Sequence, residues 1–195
     1  MGHGGGLPRW LDLVIAVTAL VTSISSIALA IYHGHVMKML VEANSIPYMQ
    51  GGFSTVTPDD KDVLSLDLLN RGVGPAHEES LHVKVSGRDV RSLSELISAS
   101  LGAEQAAKAK GVLHLTWNRI PTRFIPGGQQ QFVFRIPKTA ENSDIWTVLA
   151  KDSDRWDIEF CYCSVFQDCW RVRGKWQEPR HIKECRRDEP REFIP

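Results

Sequence analysis

Net charge is missing from this sequence: 23 lysines and arginines are balanced by 23 aspartates and glutamates. A chain without a basic excess has no general attraction for a phosphate backbone, so nucleic acid is not an expected partner. Recognisable catalytic signatures are missing too. Gly72–His77, GVGPAH, lacks both the third glycine of a dinucleotide fingerprint and the Gly-Lys-Ser/Thr of a phosphate loop. Ser164 has no G-x-S-x-G elbow around it. Internal repeats and long low-complexity tracts are absent. Cysteine is scarce, four in 195 residues, and no C-x-x-C pair occurs among them. That spacing argues against a redox-active dithiol. No cofactor and no metal centre is expected, and no enzyme class is indicated.

What the sequence has is one long uncharged run. Leu13 to Tyr32, LVIAVTALVTSISSIALAIY, is twenty residues without a charge. As a helix it matches a hydrocarbon core of ~30 Å. Ten of the twenty are Leu, Ile or Val, each favouring insertion by roughly 0.3–0.6 kcal/mol. Trp10 and Tyr32 flank the run, where amphipathic rings prefer the headgroup layer. Ala28-Leu29-Ala30 resembles a signal-peptide cleavage site, but the run exceeds the usual signal core and the helical pattern continues beyond it. A retained single-pass anchor is the expectation. The membrane span is expected at 13–32 after a short tail at 1–12, within a helix that extends over 10–44 and ends where Asn44-Ser45 and Pro47 interrupt it.

Ala16, Ala19, Ser23, Ser26 and Ala30 recur every three or four residues along this helix. Small residues let membrane helices approach closely, so the stripe is a candidate self-association face beside the lipid bilayer itself. Lysine and arginine counts do not choose an orientation, with Arg9 on one side and Lys38 on the other.

About 150 residues follow the helix, enough for one domain with its own core. Val63–Leu68, Leu81–Val85, Val112–Trp117 and Gln131–Ile136 read as strands. Ser92–Leu101 and Asp144–Ala150 read as short helices, the first with Ser92 and Glu95 as a capping box. A mainly β fold is expected: a β-sandwich-like domain over 45–176 with minor helices, then a tail at 177–195. Trp117, Trp146, Trp156, Trp170 and Trp176 are expected in its core or rim. His82 and His114 alternate with apolar residues and read as solvent-facing strand positions.

The hairpin Trp156–Trp176 is the most specific element. Pairing each residue i with 332 − i leaves a loop at Ser164–Asp168. It places Asp157 opposite Lys175 and Glu159 opposite Arg173 on one face. Phe160–Val172 and Tyr162–Trp170 fall on the other. The same register sets Cys163 against Cys169, and a returning tail can bring Cys185 to Cys161. Two such bridges would persist only outside the cytosol. The alternatives are four reduced thiols in a cytosol-facing domain, or a zinc site whose C-x-C-x5-C-x15-C spacing lacks the usual knuckles.

VEANSIPY at Val41–Tyr48, NRGVGPA at Asn70–Ala76 and CYCSVFQDCW at Cys161–Trp170 resemble segments of a group of small, uncharacterised bacterial membrane proteins with β-rich extramembrane domains. The resemblance implies inner-membrane placement and no particular activity. The expectation is a membrane-anchored binding or accessory module of the bacterial inner membrane, its C-terminal domain periplasmic, with a protein or ligand partner the sequence does not name. The alternative is a cytosol-facing regulatory subunit of a larger membrane complex, docking through the basic stretch after Arg171. A hydrolase would need histidines and carboxylates clustered in a cleft.

Overall fold

The first element of the computed structural model is a single helix, α1 (Arg9–Ala43), 35 residues long with none of them buried. The structure describes residues 8–57, 59, 61–118, 124–186 and 189–194; most of the Gly-rich start lies outside these. At 1.5 Å per residue α1 runs about 52 Å, longer than the apolar run alone. Its mean hydropathy peaks at 2.3, so in length and composition it suits a membrane span. Lys38 and Glu42, one turn apart, pair at 3.6 Å beyond the apolar stretch.

Residues 44–195 form a separate compact unit. One sheet contains β1 (Met49–Val56), β2 (Asp62–Asn70), β7 (Gln130–Pro137) and β5 (Thr116–Trp117) in that spatial order. The other runs β10 (Arg180–Ile182), β9 (Cys169–Arg173), β8 (Trp156–Cys163), β3 (Ala76–Val85) and β4 (Arg88–Val90), with β6 (Phe124–Ile125) also on β3. Helices α2 (Leu93–Leu101), α3 (Ala103–Ala109) and α4 (Ser143–Asp152) complete the domain. The chain carries about as much helix as strand, so "mainly β" is too narrow; α1 alone accounts for much of the helix.

Alternation explains how the core forms. Leu64, Leu66 and Leu68 of β2 are fully buried, as are Phe134 and Ile136 of β7. From the second sheet Val83, Ile158 and Phe160 join the same cluster. Phe53 meets Trp156 edge-on at 5.1 Å between centroids, a geometry worth about 0.5–1.5 kcal/mol beyond area burial. The expected helices exist. Ser92 caps α2 by accepting from the Glu95 N–H at 3.2 Å, while the Glu95 carboxylate reaches back to the Arg91 N–H at 2.7 Å. Of Val112–Trp117 only Thr116–Trp117 is strand.

Asn70 secures the turn after β2. Its side-chain oxygen accepts from the Gly72 and Tyr48 N–H groups at 3.0 and 3.2 Å. Its amide donates to the Gly74 and Ile125 carbonyls at 2.8 and 3.0 Å. One fully buried side chain thus ties the β2–β3 turn to β6 and to the entry of β1. The segment is a turn and not a phosphate loop.

The expected hairpin register is present from Glu159↔Arg173 to Cys163↔Cys169. Pairing of Trp156 and Asp157 with Trp176 and Lys175 is not. Gly174 (φ 98°) and Trp176 (φ 57°) turn the chain away, and the Trp176 N–H donates to the Gly51 carbonyl at 2.6 Å. Glycine at position 52 leaves room for the Trp176 ring, which a Cβ there would meet at 2.5 Å. The described residues of the C-terminal segment, expected as a tail, are built into the domain. Arg180–Ile182 extends the second sheet by pairing with β9. Phe193 is buried against the Phe134 ring at 6.3 Å, its N–H donating to the Leu81 carbonyl at 2.8 Å. The C-terminal segment is therefore part of the domain, held by its own aromatic anchor.

Candidate ligand-binding basin

The outward face of the second sheet concentrates polar side chains because β3, β8 and β9 alternate. Inward positions such as Leu81, Phe160 and Val172 fill the core. The intervening Ser80, His82, Glu159 and Arg171 line a basin of about 420 Å³ on the other face. Arg173, together with Arg186 and Arg191 from the C-terminal segment, completes its walls. Four arginines and one glutamate thus stand among its described lining residues.

Glu159 is the electrostatic hub. Its carboxylate accepts from the Arg173 Nε at 3.0 Å, with Arg171 Nε at 3.7 Å and Lys84 Nζ at 3.4 Å. Burial pushes this carboxyl up, but the Arg173 hydrogen bond and the charges of Arg173 and Lys84 outweigh it, so Glu159 titrates below its ordinary value. Arg186 pairs with Glu184 at 2.9 Å, and Arg191 approaches Asp89 at 3.9 Å.

His82 is only 7% exposed, which differs from the expected solvent-facing position. Arg186 and Arg191 of the disulfide-tethered C-terminal segment line the same basin as His82, a proximity that strand alternation alone cannot reveal. His114 is exposed as expected.

All four cysteines stand in two pairs at bonding distance, Cys161 with Cys185 and Cys163 with Cys169. Cys161 lines the basin, so its bridge holds Arg186, the next residue after Cys185, at the rim. The two bridges are neighbours, with Cys163 Sγ 3.6 Å from Cys185 Sγ. The sulfurs of Cys163, Cys169 and Cys185 lie within 4.8 Å of one another. Sulfur held in a disulfide offers no thiolate, so this cluster is a covalent clasp in the bridged state and not a zinc cage.

The small-residue stripe is exposed along α1 at Ala16, Ala19, Ser23, Ser26 and Ala30. Ser23 and Ser26 donate back to the Ala19 and Thr22 carbonyls at 2.7 and 2.8 Å. Their hydrogens are thus spent within the helix, and what the stripe offers a neighbouring helix is close packing.

Among the tryptophans, Trp146 and Trp156 are buried, whereas Trp117 and Trp176 are exposed; they do not share one groove. Trp170 stacks on Tyr162 at 5.6 Å. Among the described residues His77 Nδ1 pairs with Glu79 Oε1 at 2.6 Å. Among the described residues no hydroxyl or thiol hydrogen-bonds to that imidazole, so a nucleophile is not positioned there. The basin itself was not visible in the sequence. Ser80, His82 and Glu159 show the outward period of their strands, but Arg186 and Arg191 reach them only through the tertiary path of the C-terminal segment.

Compared with protein-family models, curated proteins and solved structures, the chain matches none.

Proposed function

We propose that this chain is a single-pass membrane-anchored binding module of a bacterial inner membrane, with its disulfide-bonded domain on the periplasmic side. One observation carries the reading: a 35-residue apolar helix with no buried residue directly precedes a domain whose four cysteines are all paired. An apolar helix of this length needs lipid or a partner to cover it. Two bridges need an oxidising compartment. Together these favour a membrane with an oxidising side. The concave, cation-rich basin supports binding as the domain's task, and the α1 stripe supports association of anchors in pairs.

Fusion of alkaline phosphatase to the C-terminus of the full chain tests the orientation, since that enzyme is active only outside the cytosol. Activity together with retention in carbonate-washed membranes is the expected result. An inactive fusion, or mass spectrometry finding four unbridged cysteines, would favour a cytosol-facing subunit instead. A product trimmed behind Ala30 would replace the anchor with a signal sequence.

A further inference from the structure

We infer that the basin on the second sheet binds a phosphate-type anion, either free or as the phosphate monoester of a lipid headgroup. This deepens the binding-module reading by naming the chemistry of the ligand, and it depends on that reading only for the word "module".

Two observations carry it independently. The first is charge: Arg171, Arg173, Arg186 and Arg191 line the basin, with Glu159 the one carboxylate among its described lining residues. Glu159 engages Arg173 and Arg171 through their Nε edges. Among the described residues the outer amino groups of both make no hydrogen bond. A guanidinium presents five N–H donors in a planar fork that matches phosphate oxygens, so two forks remain available there.

The second observation is the floor. Ser80 and His82 are 4% and 7% exposed, and both line the basin. Neither side chain has a hydrogen-bond partner among the described residues. The described polar atoms sealed from solvent without a partner are Asp67 Oδ1, Asp89 Oδ1 and Arg135 Nε, not those of Ser80 and His82, so the small accessible part of each opens on the basin they line. A hydroxyl and an imidazole N–H at the bottom of an arginine-walled hollow complete a donor set for a tetrahedral oxyanion. The carboxylate of Glu159 faces the same space; it orders Arg171 and Arg173, while its own charge subtracts from their attraction for an anion.

The test uses full-length protein in phosphatidylcholine nanodiscs titrated with inorganic phosphate by calorimetry, beside nanodiscs containing a minor fraction of phosphatidic acid. Hydrogen exchange over residues 177–194 is read in both. Saturable phosphate binding supports the inference with a soluble source. Slowed exchange in the phosphatidic acid discs alone supports it with a headgroup source. In either arm Arg171→Gln and Arg186→Gln are each expected to weaken the effect by roughly tenfold or more, the weight of a charge-assisted hydrogen bond. Arg88→Gln, exposed on β4 and outside the basin, is expected to change nothing. Arg186 is highly exposed, so R186Q retains the fold, which peptide mapping of the Cys161–Cys185 bridge checks. Absence of both signals, or signals that R171Q and R186Q leave intact, would overturn the inference while leaving membrane anchoring, read separately by carbonate extraction, unaffected.

Discussion

The Met49 N–H donates to the Tyr162 hydroxyl at 3.1 Å, in the buried space between the two sheets. It joins residues 113 positions apart, the first of β1 and one near the end of β8. Burial raises the Tyr162 phenol to about 12, and the bond from Met49 only partly offsets that rise.

A raised acid favours the neutral form in the fold. The stability it contributes is complete below the unfolded value near 10 and is lost as pH climbs towards about 12. Urea titrations at pH 8 and pH 11 are expected to show a lower midpoint at the higher pH. Tyr162→Phe removes that part of the alkaline loss. At pH 8 it costs roughly 1–3 kcal/mol, because the Met49 N–H is then buried without an acceptor.

Glu159 has the opposite sign. Its carboxyl is held below the ordinary range by Arg173 and Lys84, so its contribution is present above the unfolded carboxylate value and lost as pH falls through the folded one. Thermal melts from pH 7 down to pH 3 are expected to show a smaller decline for Glu159→Gln than for the parent. If the two curves run parallel, the carboxylate is not coupled to its arginines in solution.

Gly74 and Gly87 separate two reasons for glycine. A Cβ at Gly74 would stand 1.9 Å from the Ser45 carbonyl oxygen, which is backbone and cannot swing aside. Gly74→Ala is expected to destabilise by about 1–3 kcal/mol or more. At Gly87 the φ of +81° is the only objection, since nothing lies within 4 Å. There Gly87→Ala costs about 1–2 kcal/mol through backbone strain alone. Paired melts of the two variants check the order.

Replacing both Cys161 and Cys185 with serine opens a bridge spanning 24 residues, worth about 3 kcal/mol on chain-entropy grounds. The six-residue separation of Cys163 and Cys169 makes their bridge worth about 2 kcal/mol on the same account. Limited trypsin digestion is expected to cut after Lys183 and Arg186 sooner in the first double variant than in the second. Equal cutting would show that β10 and Phe193 suffice to hold the segment.

Much of this chain was legible from residue order. Twenty uncharged residues imply a lipid-length helix because helical rise is constant. The 332 − i register followed from period-two alternation, since a slip of one residue would expose Phe160 and Tyr162. Cys163 and Cys169 came with it. β1 was missed, for Gly51 and Gly52 dilute its pattern; they are there to admit Leu68 and Trp176.

The sequence by itself determined a local length and a local period: how far α1 runs, and which strand residues face inward. Only the tertiary structure decided that Gly174 and Trp176 leave the hairpin for β1, that Phe193 plugs the core beside Phe134, and that Arg186 lines one basin with Ser80 and His82. Those meetings join residues far apart in the chain, from Phe134 with Phe193 to Gly51 with Trp176. No local propensity encodes them, because the free energy that selects them is released only when the whole core closes.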